Sequence, residues 1–175
     1  MATMVAIKNA QLEPWKRDAL EQALNAAEEA AAGISDCPPA LAPVTVAQFL
    51  LESNWGRSGM GEAHNYFGIK ARPGEPFVTK TTTEFVKGQP VTVEAKFRAY
   101  ASMAECFADH ASLICERMHS DGQKIYSAAL EHRDDPMAFA RALTGVYATD
   151  PAYGDKLVSI MASRGLLESF GYGSI

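Results

Sequence analysis

The sequence lacks a surplus of positive charge. Its 16 lysines and arginines are outnumbered by 21 aspartates and glutamates, which gives a formal net charge of −5. Proteins that bind nucleic acid usually present a basic surface, so this balance argues against a nucleic-acid partner. The same balance provides no long-range attraction toward any other anionic polymer, so binding to one would depend on local contacts.

Long apolar runs are missing as well. No stretch approaches the ~20 apolar residues that a membrane-spanning helix needs, so we expect no membrane insertion. Residues 1–8 have neither the apolar core nor the cleavage site of a secretory signal peptide, which predicts synthesis in the cytoplasm without one. Repeats and low-complexity segments are also absent, and a length of 175 residues suits one domain with its own core.

Cysteine is scarce. Cys37, Cys106 and Cys115 are an odd number at irregular spacing, and the last two fall on opposite sides of one predicted helix. We therefore expect reduced thiols from a reducing compartment rather than a disulfide framework. No spacing of cysteine and histidine resembles a zinc site, and we expect neither a metal nor another cofactor.

What is present is an apolar run, VTVAQFLL, that continues into the turn-like cluster ESNWGRS. A helix over 44–53 would bury Ala47, Leu50 and Leu51 on one face and place Glu52 in its last turn. Partial desolvation and the negative end of the helix dipole would both favour a protonated Glu52. Such an acid can protonate a leaving oxygen. The alternative is a solvated glutamate at a helix end.

The same stretch carries a family resemblance. The pattern AQxxxESxWGxS at 47–58, followed by NYFGIK at 65–70, resembles the signature of glycoside hydrolase family 73. These enzymes are peptidoglycan endo-β-N-acetylglucosaminidases and include autolysins and the flagellar rod-cap muralytic domain. Further matches follow in the family's order, at Thr83-Glu84, at FRAY (97–100) and at YATDPAY (147–153). Because a Glu-Ser pair at a helix end also occurs in lytic transglycosylases, it is the joint pattern that carries the resemblance.

The resemblance implies an α+β fold, a mostly helical lysozyme-like domain with a small β-hairpin lobe flanking a substrate groove. We expect one catalytic domain over 1–175. It would consist of an N-terminal helix and linker at 1–42, a family-like core at 43–165 and a tail at 166–175. Asn54 stands where the family often has glycine, but asparagine tolerates a left-handed backbone, so the turn after Glu52 should persist.

Local patterns predict the elements of this domain. Helices are predicted at 13–32, after a capping box at Ser102–Glu105, and at 123–132, 136–143 and 151–164. Asp135 and Asp150, each followed by a proline, are the predicted N-caps of the last two. The first helix, either a packing helix or an added arm, should carry an apolar stripe formed by Leu20, Ala23, Leu24, Ala27 and Ala31. Alternating threonines and valines predict strands at 78–86 and 91–97, joined by residues 87–90. The helix after the capping box should bury one stripe, formed by Phe107, His110, Ala111, Ile114 and Met118.

By resemblance, Glu52 is the general acid, Glu84 is a second carboxylate on the hairpin, and Tyr153 is a groove tyrosine. Tyr153 would orient the substrate's acetamido group or stabilise charge at the anomeric carbon. If Glu84 activates water, the configuration inverts, and the two carboxyl groups should lie roughly 6.5–9.5 Å or more apart in the closed state. If Glu84 stays distant, the substrate's own N-acetyl oxygen attacks instead. Without the resemblance, Glu84 would be taken as a solvent-facing strand residue, whereas Tyr153 would fit a tyrosine packed against the core at a helix start as well as a groove residue.

Further residues are expected to line the groove and bind the substrate: Trp55, Asn65, Tyr66, Arg98, Tyr100 and Tyr147. Aromatic side chains on a loop beside a catalytic acid suit stacking on sugar faces. We assign Tyr66 to the groove and its neighbours Phe67 and Ile69 to the core. His110 lies on a buried helix face, where a core histidine with satisfied hydrogen bonds is more common than a ligand.

The implied function is hydrolysis of the β-1,4 bond between N-acetylglucosamine and N-acetylmuramic acid, so the partner is the peptidoglycan glycan strand. Two other classes stay open, a lytic transglycosylase and a non-catalytic wall-binding domain, although Glu84 and Tyr153 argue against both. We expect a monomer that acts in the periplasm or cell wall after delivery. The candidate routes are a phage holin, a secretion machine that exports an effector opposed by an immunity protein, or a larger assembly.

Overall fold

The chain folds into helices and one β-hairpin. A computed structural model describes residues 8–58, 60–86 and 89–173, without the side chains of 84–86. The helices are α1 (Pro14–Ala32), α2 (Leu41–Glu52), α3 (Met103–Glu116), α4 (Ser127–Leu130), α5 (Pro136–Ala142), α6 (Tyr153–Arg164) and α7 (Leu166–Ser169), and a short 3-10 helix spans Gly61–Ala63. The strands are β1 (Phe77–Val86) and β2 (Gln89–Arg98).

α2 lies at the centre of the helical part. Every residue from Leu41 to Leu50 is buried, because α1, α3, α5, α6 and α7 all pack against this helix. The prediction that Leu51 belongs to a buried face is wrong, since its side chain is 36% exposed. Leu51 and Glu52 form the end of the helix and are exposed. The core therefore holds α2 firmly and presents Glu52 at the surface.

α1 is a packing helix rather than an added arm. It begins at Pro14, within one residue of the predicted start, and lies against α2 and α3. Leu20, Ala23 and Ala27 of the predicted stripe are buried. Small alanine side chains let the helices approach closely, so α1 forms one wall of the core.

The capping box at the start of α3 is confirmed. Ser102 Oγ accepts a hydrogen bond from Glu105 N (3.2 Å), and the Glu105 carboxylate accepts one from Ala101 N (2.8 Å). Four predicted stripe residues are buried, namely Phe107, His110, Ala111 and Ile114. Met118 is not, with 57% of its surface exposed, because α3 ends at Glu116 and Met118 lies beyond it.

Two Asp-Pro pairs behave differently. Asp135 caps α5 as predicted, since its Oδ1 accepts hydrogen bonds from Met137 N and Ala138 N at 3.0 Å each. The prediction that Asp150 caps a helix at Pro151 is wrong, because α6 begins at Tyr153. Asp150 Oδ1 accepts from Ala152 N (2.9 Å) and so closes a turn that leads into α6.

Two later segments, at 123–132 and after Gly165, also differ from prediction. α4 covers Ser127–Leu130, much less than the predicted 123–132. The segment after Gly165 was expected to be a tail. Its α7 residues Leu166 and Leu167 are buried in the core, so this segment is structural.

The hairpin is antiparallel, and its register pairs Phe77 with Arg98 and Val86 with Gln89. Pro90 was expected in the connection but lies within β2, opposite Phe85; residues 87–88 of the connection are outside the described part. The base of the hairpin is joined to the loop before it, where Arg98 N donates to the carbonyl of residue 69 (2.9 Å). The hairpin is thus attached to the helical part at its base.

Within the described residues, none of the helices combines the length and apolar character needed to cross a membrane.

Candidate active site

The turn that follows α2 is left-handed at three successive residues. The φ angles are 48° at Asn54, 61° at Trp55 and 85° at Gly56, so the predicted tolerance of asparagine here is confirmed. The buried Ser53 hydroxyl donates to Phe49 O (2.6 Å) and accepts from Gly56 N (2.8 Å). Glycine is favoured at position 56 for two reasons. Its φ angle is positive, and a Cβ there would lie only 3.1 Å from the Phe49 ring. The Ser-Asn-Trp-Gly sequence therefore turns the chain away directly after Glu52.

A hydrogen-bonded chain of three side chains ends at Glu52. The Tyr153 hydroxyl donates to Glu52 Oε1 (2.7 Å), and Gln48 Nε2 donates to the Tyr153 hydroxyl oxygen (3.1 Å). Gln48 is 0% exposed and Tyr153 is 3% exposed, whereas Glu52 is open to solvent. The described residues make no hydrogen bond to Glu52 Oε2. One carboxylate oxygen is therefore held and the other is free to meet a ligand.

The electrostatics keep Tyr153 as a donor. Burial raises the pKa of Tyr153 well above its usual range, and the nearby Glu52 carboxylate and Tyr147 raise it further. The hydroxyl therefore stays protonated at ordinary pH. The predicted partial burial of Glu52 is wrong in this structure, because Glu52 is exposed and its ordered contact comes from Tyr153 instead.

A row of rings connects Tyr153 to the loop before the hairpin. Tyr147 stacks on Tyr153, with ring centroids 5.8 Å apart and an interplanar angle of 14°. His110 meets the Tyr147 ring edge-on (5.9 Å) and stacks on Phe67 (4.0 Å). Burial and the Glu52 charge raise the pKa of Tyr147 well above its usual range. Phe67 is a core residue as predicted, and Tyr147 lies beside the Glu52–Tyr153 pair.

His110 is the unusual member of this row. It is 0% exposed, and neither ring nitrogen has a hydrogen-bond partner in the part of the chain that the structure describes. Burial lowers the pKa of His110 to about 3, so the ring is neutral. It is a core residue, as the sequence predicted, but the expected hydrogen bonds to it are absent from the described residues.

Arg98 and Tyr100, both predicted to bind substrate, are engaged in a network around Asp109. The Tyr100 hydroxyl donates to Asp109 Oδ2 (2.6 Å), and Arg98 Nη1 lies 3.0 Å from Asp109 Oδ1 and 3.2 Å from Glu75 Oε1. Tyr100 is 3% exposed. This network ties the base of the hairpin to α3, which is a structural role.

Asn65 is also engaged internally. Its Nδ2 donates to the carbonyls of Ile69 (2.9 Å) and Arg98 (2.8 Å), and its Oδ1 accepts from Ile69 N (3.0 Å). The side chain is 1% exposed. Asn65 is therefore buried and holds the loop onto the hairpin base.

Trp55 and Tyr66 border a recess of about 290 Å³ together with Trp15 and Arg57. Neither Glu52 nor Tyr153 is among its lining residues. The Arg57 guanidinium stands 3.6 Å from the centre of the Trp15 ring. That Trp55 and Tyr66 share one substrate groove with Glu52 therefore stays a prediction.

A larger cleft, of about 410 Å³, separates the segment after α2 from the hairpin. Arg57 and Ser58 line one side, and Lys80 and Thr82 of β1 line the other. Glu84 follows on the same strand, opposite Val91 in the register, but its side chain lies outside the described part. The predicted separation from Glu52 therefore stays a prediction. No group of three or more histidine, cysteine, aspartate or glutamate residues among the described positions could hold a metal ion.

Sequence reasoning missed Gln48 as a site residue, although it is part of the quoted motif. Gln48 and Glu52 are four residues apart, and residues at this spacing lie on one face of a helix. Combined with the prediction of a helix over 44–53, that spacing was the signal that could have identified Gln48.

Comparison with known proteins decides the family. Residues 27–166 match the Glucosaminidase model, described as mannosyl-glycoprotein endo-β-N-acetylglucosaminidase. The chain belongs to the Glucosaminidase family.

Exo-glucosaminidase LytG of Bacillus subtilis is 40% identical over 129 residues, which are 73% of this chain and 45% of LytG. Peptidoglycan hydrolase FlgJ of Vibrio parahaemolyticus is 34% identical over 159 residues, which are 84% of this chain and 48% of FlgJ. This family member thus spans less than half of either relative.

A solved structure supports the same assignment. The catalytic domain of the autolysin Auto from Listeria monocytogenes matches with a TM-score of 0.77 and 27% identity, covering 90% of this chain and 89% of that one. The predicted α+β, mostly helical lysozyme-like fold and the resemblance to glycoside hydrolase family 73 are therefore confirmed. Membership of the Glucosaminidase family supports the prediction that the chain is a glycoside hydrolase.

Proposed function

We propose that the chain hydrolyses the β-1,4 bond between N-acetylglucosamine and N-acetylmuramic acid in peptidoglycan and leaves N-acetylglucosamine at the new reducing end. The observation that carries the proposal is the exposed Glu52 held at one oxygen by the buried Tyr153. Membership of the Glucosaminidase family supports the bond type. The names of two relatives, exo-glucosaminidase LytG and peptidoglycan hydrolase FlgJ, support the substrate.

Glu52 acts as the general acid. Because Tyr153 holds Oε1, the side chain has a defined direction, and Oε2 can carry the proton toward the glycosidic oxygen. As the bond between this oxygen and the anomeric carbon breaks, its electron pair goes to the oxygen, which takes the proton from Glu52. α2 is buried from Leu41 to Leu50, so the acid at its end stands on a rigid support.

Gln48 is a positioning residue that acts through Tyr153. Its amide donates to the phenol oxygen, so the phenol proton is directed at Glu52 rather than at Gln48. Both residues are buried, and their geometry is therefore set by packing before substrate arrives. This preorganisation is what a transition-state contact requires.

The nucleophile comes from one of two sources. Water activated by Glu84 would invert the β bond and give an α product, whereas attack by the substrate's acetamido oxygen would retain the β configuration. NMR of the product sampled early in the reaction distinguishes the two routes, because the anomeric protons of the α and β products differ. A Glu84→Gln variant should lose turnover in the first case and keep it in the second.

The test of the main proposal is clearance of purified cell walls by Glu52→Gln. The substitution is nearly isosteric, and we expect a loss of roughly 10²–10⁴ in rate because general acid catalysis disappears. Glu28→Gln, at another exposed glutamate, is the matched control and should clear walls normally. Clearance by Glu52→Gln at wild-type rate would remove Glu52 from the mechanism.

Product masses separate the remaining classes. A hydrolase releases reducing sugars that contain the added water, and a lytic transglycosylase releases anhydro-muramic ends. A non-catalytic wall-binding domain would sediment with walls and leave them intact. Hydrated fragments that end in reducing N-acetylglucosamine are the expected result, and anhydro ends would overturn the proposed reaction.

The delivery route is a further part of the proposal. The substrate lies outside the cytoplasmic membrane, and we propose that a monomeric enzyme reaches it through a holin, a secretion machine with a cognate immunity protein, or a larger assembly. Cells that express the chain with a periplasmic signal peptide should lyse in a Glu52-dependent way, and cells that express it without one should grow. Equal lysis in both cultures would contradict a separate delivery partner.

A further inference from the structure

Two cysteines that are far apart in sequence meet in the structure. Cys37, in the loop between α1 and α2, has its Sγ 3.2 Å from the Sγ of Cys115 in the last turn of α3. Both are free thiols. A disulfide bond is about 2.05 Å long, so the two sulfurs are about 1 Å farther apart than bonded sulfurs would be.

The loop that carries Cys37 is held in place on both sides. Arg133 Nη2 lies 2.8 Å from Asp36 Oδ1, and Arg133 Nη1 donates to the Asp36 carbonyl (3.2 Å). On the other side, Ala40 N donates to the carbonyl of Arg133 (3.0 Å). Cys115 is fixed by α3. The two thiols are therefore brought together by the folded backbone.

The two thiols differ in character. The hydrogen bond from Cys115 lowers the pKa of Cys37, and the Arg133 guanidinium adds to the lowering, against the effect of burial. The same hydrogen bond, together with burial, raises the pKa of Cys115. Cys37 is partly exposed, and Cys115 lines an open cleft of about 270 Å³ beside Arg133. An external reagent can therefore reach the pair.

We propose that Cys37 and Cys115 form an intramolecular disulfide when the folded chain meets a disulfide-bearing oxidant, either a small molecule or a protein. The Cys37 thiolate attacks one sulfur of the oxidant, forms a mixed disulfide and releases one thiolate. Cys115 then loses its proton and attacks the Cys37 sulfur, which releases the second thiolate. The two cysteines lose two electrons, and the oxidant, reduced by them, leaves as two thiols.

The bond would connect the loop before the central helix to the end of α3. The loop it closes spans 78 residues, and a cross-link of that length restricts the unfolded chain strongly. This proposal concerns the folded chain and does not depend on its glycosidase activity. It revises the expectation of reduced thiols, which would hold for the chain in a reducing compartment.

Cys106 provides the internal control. It is 0% exposed, and burial raises its pKa to about 12, so it should react with neither oxidant nor alkylating reagent in the folded chain. Cys106→Ser should therefore cross-link like the wild type. Cys37→Ser and Cys115→Ser should not.

The experiment treats the reduced, purified chain with oxidised glutathione and then titrates thiols after denaturation. We expect one free thiol in place of the three that the sequence contains, and a tryptic peptide that links Cys37 to Cys115. The melting temperature of the oxidised form should exceed that of the reduced form by roughly 5–15 °C, and this difference should vanish in Cys37→Ser and Cys115→Ser. Three remaining thiols, a bond that involves Cys106, or a dimer linked through Cys37 would each overturn the proposal.

Discussion

The molecule contains two tyrosine–carboxylate pairs that look alike. Tyr153 donates to Glu52 at 2.7 Å, and Tyr100 donates to Asp109 at 2.6 Å. Each tyrosine is 3% exposed, and burial contributes most to raising the pKa of each one. From residue types and distances alone, neither pair could be chosen as the site.

The second oxygen of each carboxylate separates the pairs. Asp109 Oδ1 is paired with Arg98 at 3.0 Å, and the Asp109 side chain is 19% exposed. Glu52 Oε2 has no partner among the described residues, and Glu52 is exposed. A carboxylate with both oxygens engaged stabilises the fold, whereas one with an open oxygen can exchange a proton with a ligand. The neighbours of the two carboxylates therefore distinguish the proposed acid Glu52 from Asp109.

The largest contrast is expected between the two acids. Glu52→Gln should lose roughly 10²–10⁴ in wall clearance, while its free energy of unfolding changes by less than about 0.5 kcal/mol, as for most exposed sites. Asp109→Asn should do the reverse, losing about 2 kcal/mol of stability because the charged contact to Arg98 weakens, with normal clearance per folded molecule. Urea unfolding and turbidity measured on both variants give the answer. Lost clearance at unchanged stability in Asp109→Asn would make the Arg98 network part of the site.

The two tyrosines should differ next. Tyr153→Phe removes the donor to Glu52, and we expect turnover to fall roughly 10²-fold with little change in KM. Tyr100→Phe should cost about 1–2 kcal/mol of stability and leave turnover intact. Because burial raises the pKa of Tyr153, the wild type should show no activity loss from this residue up to about pH 10. Equal turnover in the two variants would contradict the distinction between the pairs.

Gln48 offers a smaller test of the same distinction, because no side-chain amide among the described residues supports Tyr100 in the same way. Gln48→Met keeps the volume but removes the donor to Tyr153, so turnover should fall about tenfold through misplacement of the phenol. Thr45→Val, at another buried polar residue of α2, is the control. Steady-state kinetics on soluble glycan fragments would separate turnover from KM. A rise in KM alone would indicate substrate binding instead of positioning.

His110 should affect stability rather than chemistry. Its pKa is about 3 in the folded chain, below the unfolded value, so the unfolded state binds the extra proton as pH falls below about 6.5. The stability contributed by neutral His110 is therefore complete above that pH and declines below it, by at most about 1.4 kcal/mol per pH unit. His110→Leu should remove this part of the acid sensitivity in urea unfolding at about pH 5 and about pH 7. An unchanged pH dependence would show that His110 is not the group that titrates.

Local patterns predicted much of the fold. The stripe of α1, the capping box of α3 and the Asp135 cap depend on residues within one or two helical turns, so the sequence reveals them directly. The hairpin was predicted from the alternation of residues along each strand. Residues 89 and 90, expected in its connection, belong to β2 instead. An error occurs where a helix ends before its apolar pattern does, as at Met118, which lies beyond the end of α3.

The candidate site was only partly predictable. Glu52 and Tyr153 were chosen by resemblance, and the structure brings them together across 101 residues of sequence. Arg98 and Tyr100 occur in the same family pattern, but their shared partner Asp109 was not visible from that motif. The pattern therefore identified polar and aromatic residues that matter, without separating those that hold the hairpin from those that face a ligand.

The sequence by itself determined most of the long helices and the hairpin, which family the chain resembles, and that Glu52 ends an apolar helix. It could do so because these properties depend on periodicity, caps and neighbouring residues. Only the tertiary structure decided that Gln48 directs Tyr153, that Arg98 occupies the second oxygen of Asp109, and that Cys37 meets Cys115. These pairings join residues that are distant in sequence or lie on different elements. They depend on how the helices pack around α2, which no local pattern specifies.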